Sequence, residues 1–180
     1  MGRELDDPVL ESRRLAALRH VRQLGDPALR TPAAPVTTFD QALLDEAAEM
    51  VSLMHDARGV GLAAPQVGRL RRLIVIDPDG ETPPIALVNP EITWRSDEEE
   101  IGPEGCLSIG EISVDVPRAT AIRLTAQDIQ GNPLDIEAQD FTARVIQHEV
   151  DHLDGILILD RTSPDQRKEA LRELREAATS

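Results

Sequence analysis

The chain has 180 residues, 41% of them hydrophobic, which is enough for one domain with a core of its own. Its net charge is −14, from 19 basic and 33 acidic residues, and only 2% of residues are aromatic. That balance excludes the basic face of a free-standing nucleic-acid binder, and few base-stacking platforms remain, so no direct DNA binding is expected.

The N-terminal stretch MGRELDDPVLESRRLAALRH mixes charges of both signs and has no apolar segment of the kind a secretory signal carries. No run approaches the roughly 18 apolar residues of a membrane span. The lone cysteine, Cys106, allows no internal disulfide, which suits a reducing compartment. A soluble cytoplasmic protein without membrane contact is the expectation. Residues 1–18 read as a charged extension in which Leu10, Leu15 and Leu18 line a short helix, and residues 19–180 read as a single domain. GDPALRTPAAPV (25–36) is loop or extended chain.

Residues 40–57 predict the clearest helix. Leu43, Leu44, Ala47, Met50, Val51 and Met54 form one apolar stripe, with Asp40 as N-cap and Gly59 just past the end. GVGLAAPQVG (59–68) is a loop. Leu73–Ile76 reads as a buried strand. Ile85–Val88 and Ile92–Trp94 read as two further strands broken at Pro90, and Asp97–Glu100 as a solvated acidic loop. Alternation places strands around Ile112–Val116 and Ile122–Ala126, and Gly131-Asn132-Pro133 turns the chain into Leu134–Ile136. Residues 140–153 form a helix stopped at Asp154-Gly155, Ile156–Leu159 a short strand, and Ser163-Pro164-Asp165-Gln166 starts a last helix. Strands in hairpins with helices set apart give an α+β fold: antiparallel sheets around a central helix, with a helix at each end of the chain.

That central helix carries His148-Glu149-Val150-Asp151-His152. Residues four apart on a helix lie about 40° apart around its axis, so both histidines can hold one metal ion while Glu149 is left to act as general base. A protease of this pattern takes its third ligand downstream, but no histidine follows His152, and Glu169, Glu173 and Glu176 interleave with arginines as surface ion pairs. Cys106, in Glu104-Gly105-Cys106-Leu107-Ser108, is the better candidate. Three protein ligands leave a fourth position open, as a catalytic site requires.

Gly59-Val60-Gly61-Leu62-Ala63-Ala64-Pro65-Gln66, Glu104-Gly105-Cys106-Leu107-Ser108 and Gln147-His148-Glu149-Val150-Asp151-His152-Leu153, in that order, closely resemble peptide deformylase, from about Val21 to Arg161. The resemblance implies a metal-dependent hydrolase that removes the N-formyl group from the initiator methionine of nascent proteins, releasing formate. It implies Cys106, His148 and His152 as ligands with water as the fourth, Glu149 as general acid/base, and Gln66 and the Leu107 N–H as oxyanion donors. The implied metal is Fe²⁺, with Zn²⁺, Ni²⁺ or Co²⁺ substituting. The implied substrate wall includes the Gly59, Val60 and Gly61 backbone, Glu104 and Gly105, with Phe141 and Val145 at the methionine pocket. Three departures stand out: Gly110 where the family commonly has proline, Ser113 near the peptide backbone, and Arg58 where many members are acidic. They keep a related metallohydrolase with a shifted substrate as the alternative. The last helix balances Arg167, Lys168, Arg172 and Arg175 against Asp165, Glu169, Glu173 and Glu176, which leaves transient ribosome contact open.

Overall fold

A computed structural model describes residues 7–180. Pro8–Leu18 forms helix α1 and Gln41–Asp56 helix α2; strands β1 (Gly61–Ala63), β2 (Leu73–Ile76) and β3 (Ile85–Arg95) follow. The hairpin β4 (Glu99–Gly105) and β5 (Ser113–Ala119) comes next, then β6 (Ala121–Gln127), β7 (Pro133–Gln139) and helices α3 (Asp140–Leu153), α4 (Ile158–Arg161) and α5 (Pro164–Ala178). One sheet has the order β1-β2-β3-β6-β7, all antiparallel; β4 and β5 make a second, two-stranded sheet. This is the α+β arrangement expected, with α3 between them. Among the described residues no helix is long and apolar enough to cross a membrane.

The run Leu73–Ile76 is apolar throughout because both faces of β2 are covered. Ile74 and Ile76 join Val145, Ile146 and Val150 of α3, while Leu73 and Val75 join Leu43, Met50 and Met54 of α2. A third cluster, with Cys106, Val114, Val116, Leu159 and Ala170, fills the space between the hairpin and α5. Asp40 caps α2 through Leu43 N at 3.0 Å, and Ser163 caps α5.

Several expectations are corrected. Pro90 does not split β3; it sits in a bulge, after Asn89 at φ 51, so one strand spans both predicted pieces. The acidic stretch is not all loop, since β4 begins at Glu99. That strand pairs only with β5, and an edge strand accommodates the missing N–H of Pro103. Residues 61–63 of the predicted loop pair with β2 as β1. Ile156–Leu159 is not a strand: the chain makes a helical turn from Ile158, and Asp160 accepts from Leu157 N at 2.8 Å. Gly59 does lie just past α2, donating its N–H to Met54 O at 2.8 Å, but Arg58, at φ 59, takes the left-handed position. α1 exists, but of its three leucines only Leu18 faces inward. Leu10 and Leu15 are 36% and 52% exposed, and Glu11, Arg14, Ala17 and Leu18 face inward. Leu44 of α2 likewise points outward.

Candidate metal centre and active site

On α3, His148 and His152 are one turn apart, and their Nε2 atoms lie 3.2 Å from each other. Cys106 Sγ, from the segment after β4, is 3.4 Å from His152 Nε2, and all three ligand atoms fall within 4.8 Å of one another. Ligand bonds of about 2.1 Å at tetrahedral angles put neighbouring ligand atoms about 3.4 Å apart, so the separations fit a shared ion. Two imidazoles and a thiol are donors that suit iron or zinc.

A row of buried charges supports these ligands. His148 Nδ1 donates to Glu104 Oε2 at 3.0 Å, which turns Nε2 toward the other two ligands. Arg118 donates to both oxygens of Glu104, at 2.9 and 3.0 Å, and to Asp151 Oδ2 at 2.6 Å; Arg161 closes the row on Asp151 Oδ1 at 2.9 Å. Burial alone would push the Glu104 carboxyl up, but the bonds from His148 and Arg118 outweigh it and hold it down at about 2. For His148, burial disfavours the charged ring, yet Cys106 and Glu104 outweigh it and hold its pKa well above the ordinary value. His152, desolvated and beside His148, is driven well below. Its Nδ1 is buried without a hydrogen-bond partner among the described residues.

Glu149 is buried, and its Oε2 has no partner among the described residues. Burial pushes its carboxyl up to about 7, against the pull of His148. Gly61 makes room for it: a Cβ there would stand 2.9 Å from both Cγ and Cδ of Glu149. Gln66 is fixed at both ends. Its Oε1 accepts from Ala63 N at 3.0 Å and its Nε2 donates to Ser108 Oγ at 3.1 Å, with Cys106 Sγ 3.7 Å away. The Leu107 N–H makes no hydrogen bond among the described residues.

These groups border a groove of about 440 Å³. Every site residue expected from the sequence lines it except His152, which lies behind. Glu104 reaches it with its charge already used by His148, Arg118 and Arg144. Val145 is buried, while Phe141 is 52% exposed at the mouth. Gly110 has φ 62, a conformation closed to proline.

Sequence reasoning overlooked Arg144 and the segment 22–24. Arg144 lies one turn before His148 and could have been found by that spacing. It donates to Glu104 at 2.9 Å and to the carbonyls of Val116 and Glu100, stitching the hairpin to α3. Arg22 N donates to Gln66 O at 2.6 Å, Leu24 N to Ser108 O at 2.8 Å, and Gln23 Nε2 to Leu107 O at 3.1 Å. No local pattern announces these contacts.

A family model described as polypeptide deformylase matches residues 18–168. The peptide deformylase of Acidothermus cellulolyticus is 47% identical over 161 residues, 89% of this chain and 88% of its own length. That of Thermotoga neapolitana is 44% identical, covering 89% and 96%. Among solved structures, a peptide deformylase from Legionella pneumophila superposes with a TM-score of 0.83 at 41% identity, covering 88% of this chain and 94% of its own. One from Synechococcus elongatus, in complex with actinonin, gives 0.82 at 41%, covering 85% of each. The chain therefore belongs to the polypeptide deformylase family, metal-dependent amide hydrolases that remove the N-formyl group from newly synthesised proteins.

Proposed function

We propose that this chain deformylates N-formylmethionyl nascent peptides with Cys106, His148 and His152 as the ligands of one divalent ion, Fe²⁺ in the native protein and replaceable by Zn²⁺, Ni²⁺ or Co²⁺. The observation that carries the reading is the convergence of those three ligand atoms beside the unpartnered Glu149 Oε2. When bound, the ion supplies Lewis acidity, polarising the formyl carbonyl and lowering the pKa of a nearby water.

The protein's own groups do the rest. Glu149 takes a proton from the attacking water on Oε2, and the water oxygen bonds to the formyl carbon. The free N–H of Leu107 and the second N–H of Gln66 donate to the carbonyl oxygen as it gains charge. Glu149 then passes the proton to the amine nitrogen as the C–N bond breaks, leaving formate and a free N-terminal methionine. The backbone of Gly59, Val60 and Gly61 receives the peptide as an added strand, with Glu104 and Gly105 on the facing wall. Val145 and Phe141 take the methionine side chain.

Residues 19–180 are read as the catalytic domain, with 1–18 appended to it, in a cytoplasmic setting. Transient ribosome contact belongs to the same reading, but not through a basic face on α5, where Arg167 is held by Asp160 and Arg172 by Glu169. The test is turnover of a formyl-Met peptide by protein purified anaerobically with Fe²⁺, with metal content measured on the same sample. Glu149→Ala is expected to keep the metal and lose about 10²–10⁴-fold in rate. Metal-loaded wild-type protein without turnover would overturn the reading.

A further inference from the structure

Helix α1 lies outside the family match except for its last residue, Leu18. Its inner face nevertheless contacts two residues that line the groove. Arg14 Nη2 donates to Glu111 Oε1 at 2.9 Å, Arg14 Nη1 donates to Glu11 Oε1 at 2.9 Å, and Glu11 Oε2 lies 3.8 Å from Arg58 Nη1. Arg58 and Glu111 both line the groove. Arg58 leads directly into Gly59–Gly61, whereas Glu111 follows the Cys106 segment, so they belong to its two lips. The row Glu111–Arg14–Glu11–Arg58 joins those lips through two residues of α1 about one turn apart. Two positive and two negative charges cancel, so the row is no lure for a ligand of one sign; its effect is to bridge.

Along the first lip, Gly61 lies against Glu149, and Arg58 is three residues farther back along the chain. A peptide whose formyl end is beside Glu149, and whose backbone runs along Gly61 to Gly59, meets Arg58 next. We propose that α1 is a strap across this downstream end of the groove, and that Glu11 and Arg14 make the enzyme discriminate formyl-peptides by length. A formyl-Met dipeptide fits beneath the strap, while a longer chain must part the Arg14–Glu111 or Glu11–Arg58 contact to pass. The Glu11–Arg58 contact is a weak one, at 3.8 Å between side chains that are 41% and 34% exposed, so a longer peptide can part it.

This inference rests on the reading of the groove as the formyl-peptide site. The test compares wild type, Arg14→Ala and Glu11→Ala, neither residue lining the groove, all loaded with Fe²⁺, on a formyl-Met dipeptide and a formyl-Met hexapeptide. Glu11 is 41% exposed and alanine favours a helix, so its variant keeps α1 in place even if loss of Arg14 loosens it. In both variants the hexapeptide KM is expected to fall about three- to fivefold, with kcat and the dipeptide kinetics unchanged within about twofold. Raising salt from about 0.05 to about 0.5 M should lower the wild-type hexapeptide KM in the same direction and leave the variants still. An unchanged hexapeptide-to-dipeptide ratio, or equal shifts for both substrates, overturns the strap. Failure of the wild type on the dipeptide overturns the groove assignment itself.

Discussion

The two histidines of the centre are supported unequally. His148 donates Nδ1 to a carboxylate that two arginines hold, while His152 Nδ1 is buried without an acceptor. Glu149, between them in sequence, depends on an absence: the missing side chain of Gly61. Replacing Gly61 by Ala forces the carboxylate away from its place at the groove, where the proposed reaction needs it. The expected outcome is a loss of about 100-fold in kcat, as for a displacement near 1 Å, while metal content stays at the wild-type level. Steady-state kinetics with metal analysis checks it, and an active Gly61→Ala enzyme would show that Glu149 tolerates another placement. These residues were legible in advance because each sits in a short motif whose chemistry is local. Gln23, Leu24 and Arg22 were not, because a donor to a distant carbonyl leaves no periodicity in the chain.

The same contrast holds for whole elements. Helices α2, α3 and α5 declare themselves by apolar stripes, caps and a proline start. β4 does not: Glu99–Gly105 contains three glutamates, two glycines and a proline, and it is a strand because β5 pairs with it, not by its own preference. The turn α4 shows how a four-residue apolar run misleads, since length alone separates a buried strand from a buried helical turn. Its geometry depends on Asp160, which accepts from Leu157 N and binds Arg30 and Arg167. Burial pushes the Asp160 carboxyl up, but the bonds from Arg30, Leu157 N and Arg167 outweigh it, and its pKa is lowered. A carboxyl depressed on folding contributes stability that is present above its unfolded pKa, about 3.9, and is lost as pH falls through the lower folded value. Asp160→Asn is therefore expected to cost about 1 kcal/mol at neutral pH, and the gap to wild type should close below about pH 4. Urea unfolding across that range is the check; a gap that does not change with pH would assign the cost to packing instead.

At the scale of the molecule, the centre joins parts that are separate in topology. Cys106 lies in the connection between the strands of the two-stranded sheet, and both histidines come from α3, which is packed on the five-stranded one. The row Glu104–Arg118–Asp151–Arg161 crosses the same junction. An ion held only by the folded state stabilises it in proportion to its affinity, about 4 kcal/mol at a thousandfold excess over Kd. Chelation is thus expected to lower Tm by several degrees, with recovery when Fe²⁺, Zn²⁺ or Ni²⁺ is restored. A Tm indifferent to chelator would mean that the ion adds nothing to the contacts already holding the two sheets together. The lone cysteine adds a practical consequence. Since Cys106 is the chain's single thiol and is 8% exposed, a colorimetric thiol reagent reports on one atom only. Slow labelling in the loaded protein and faster labelling after chelation would turn that sulfur into a built-in gauge of how much of a preparation is armed.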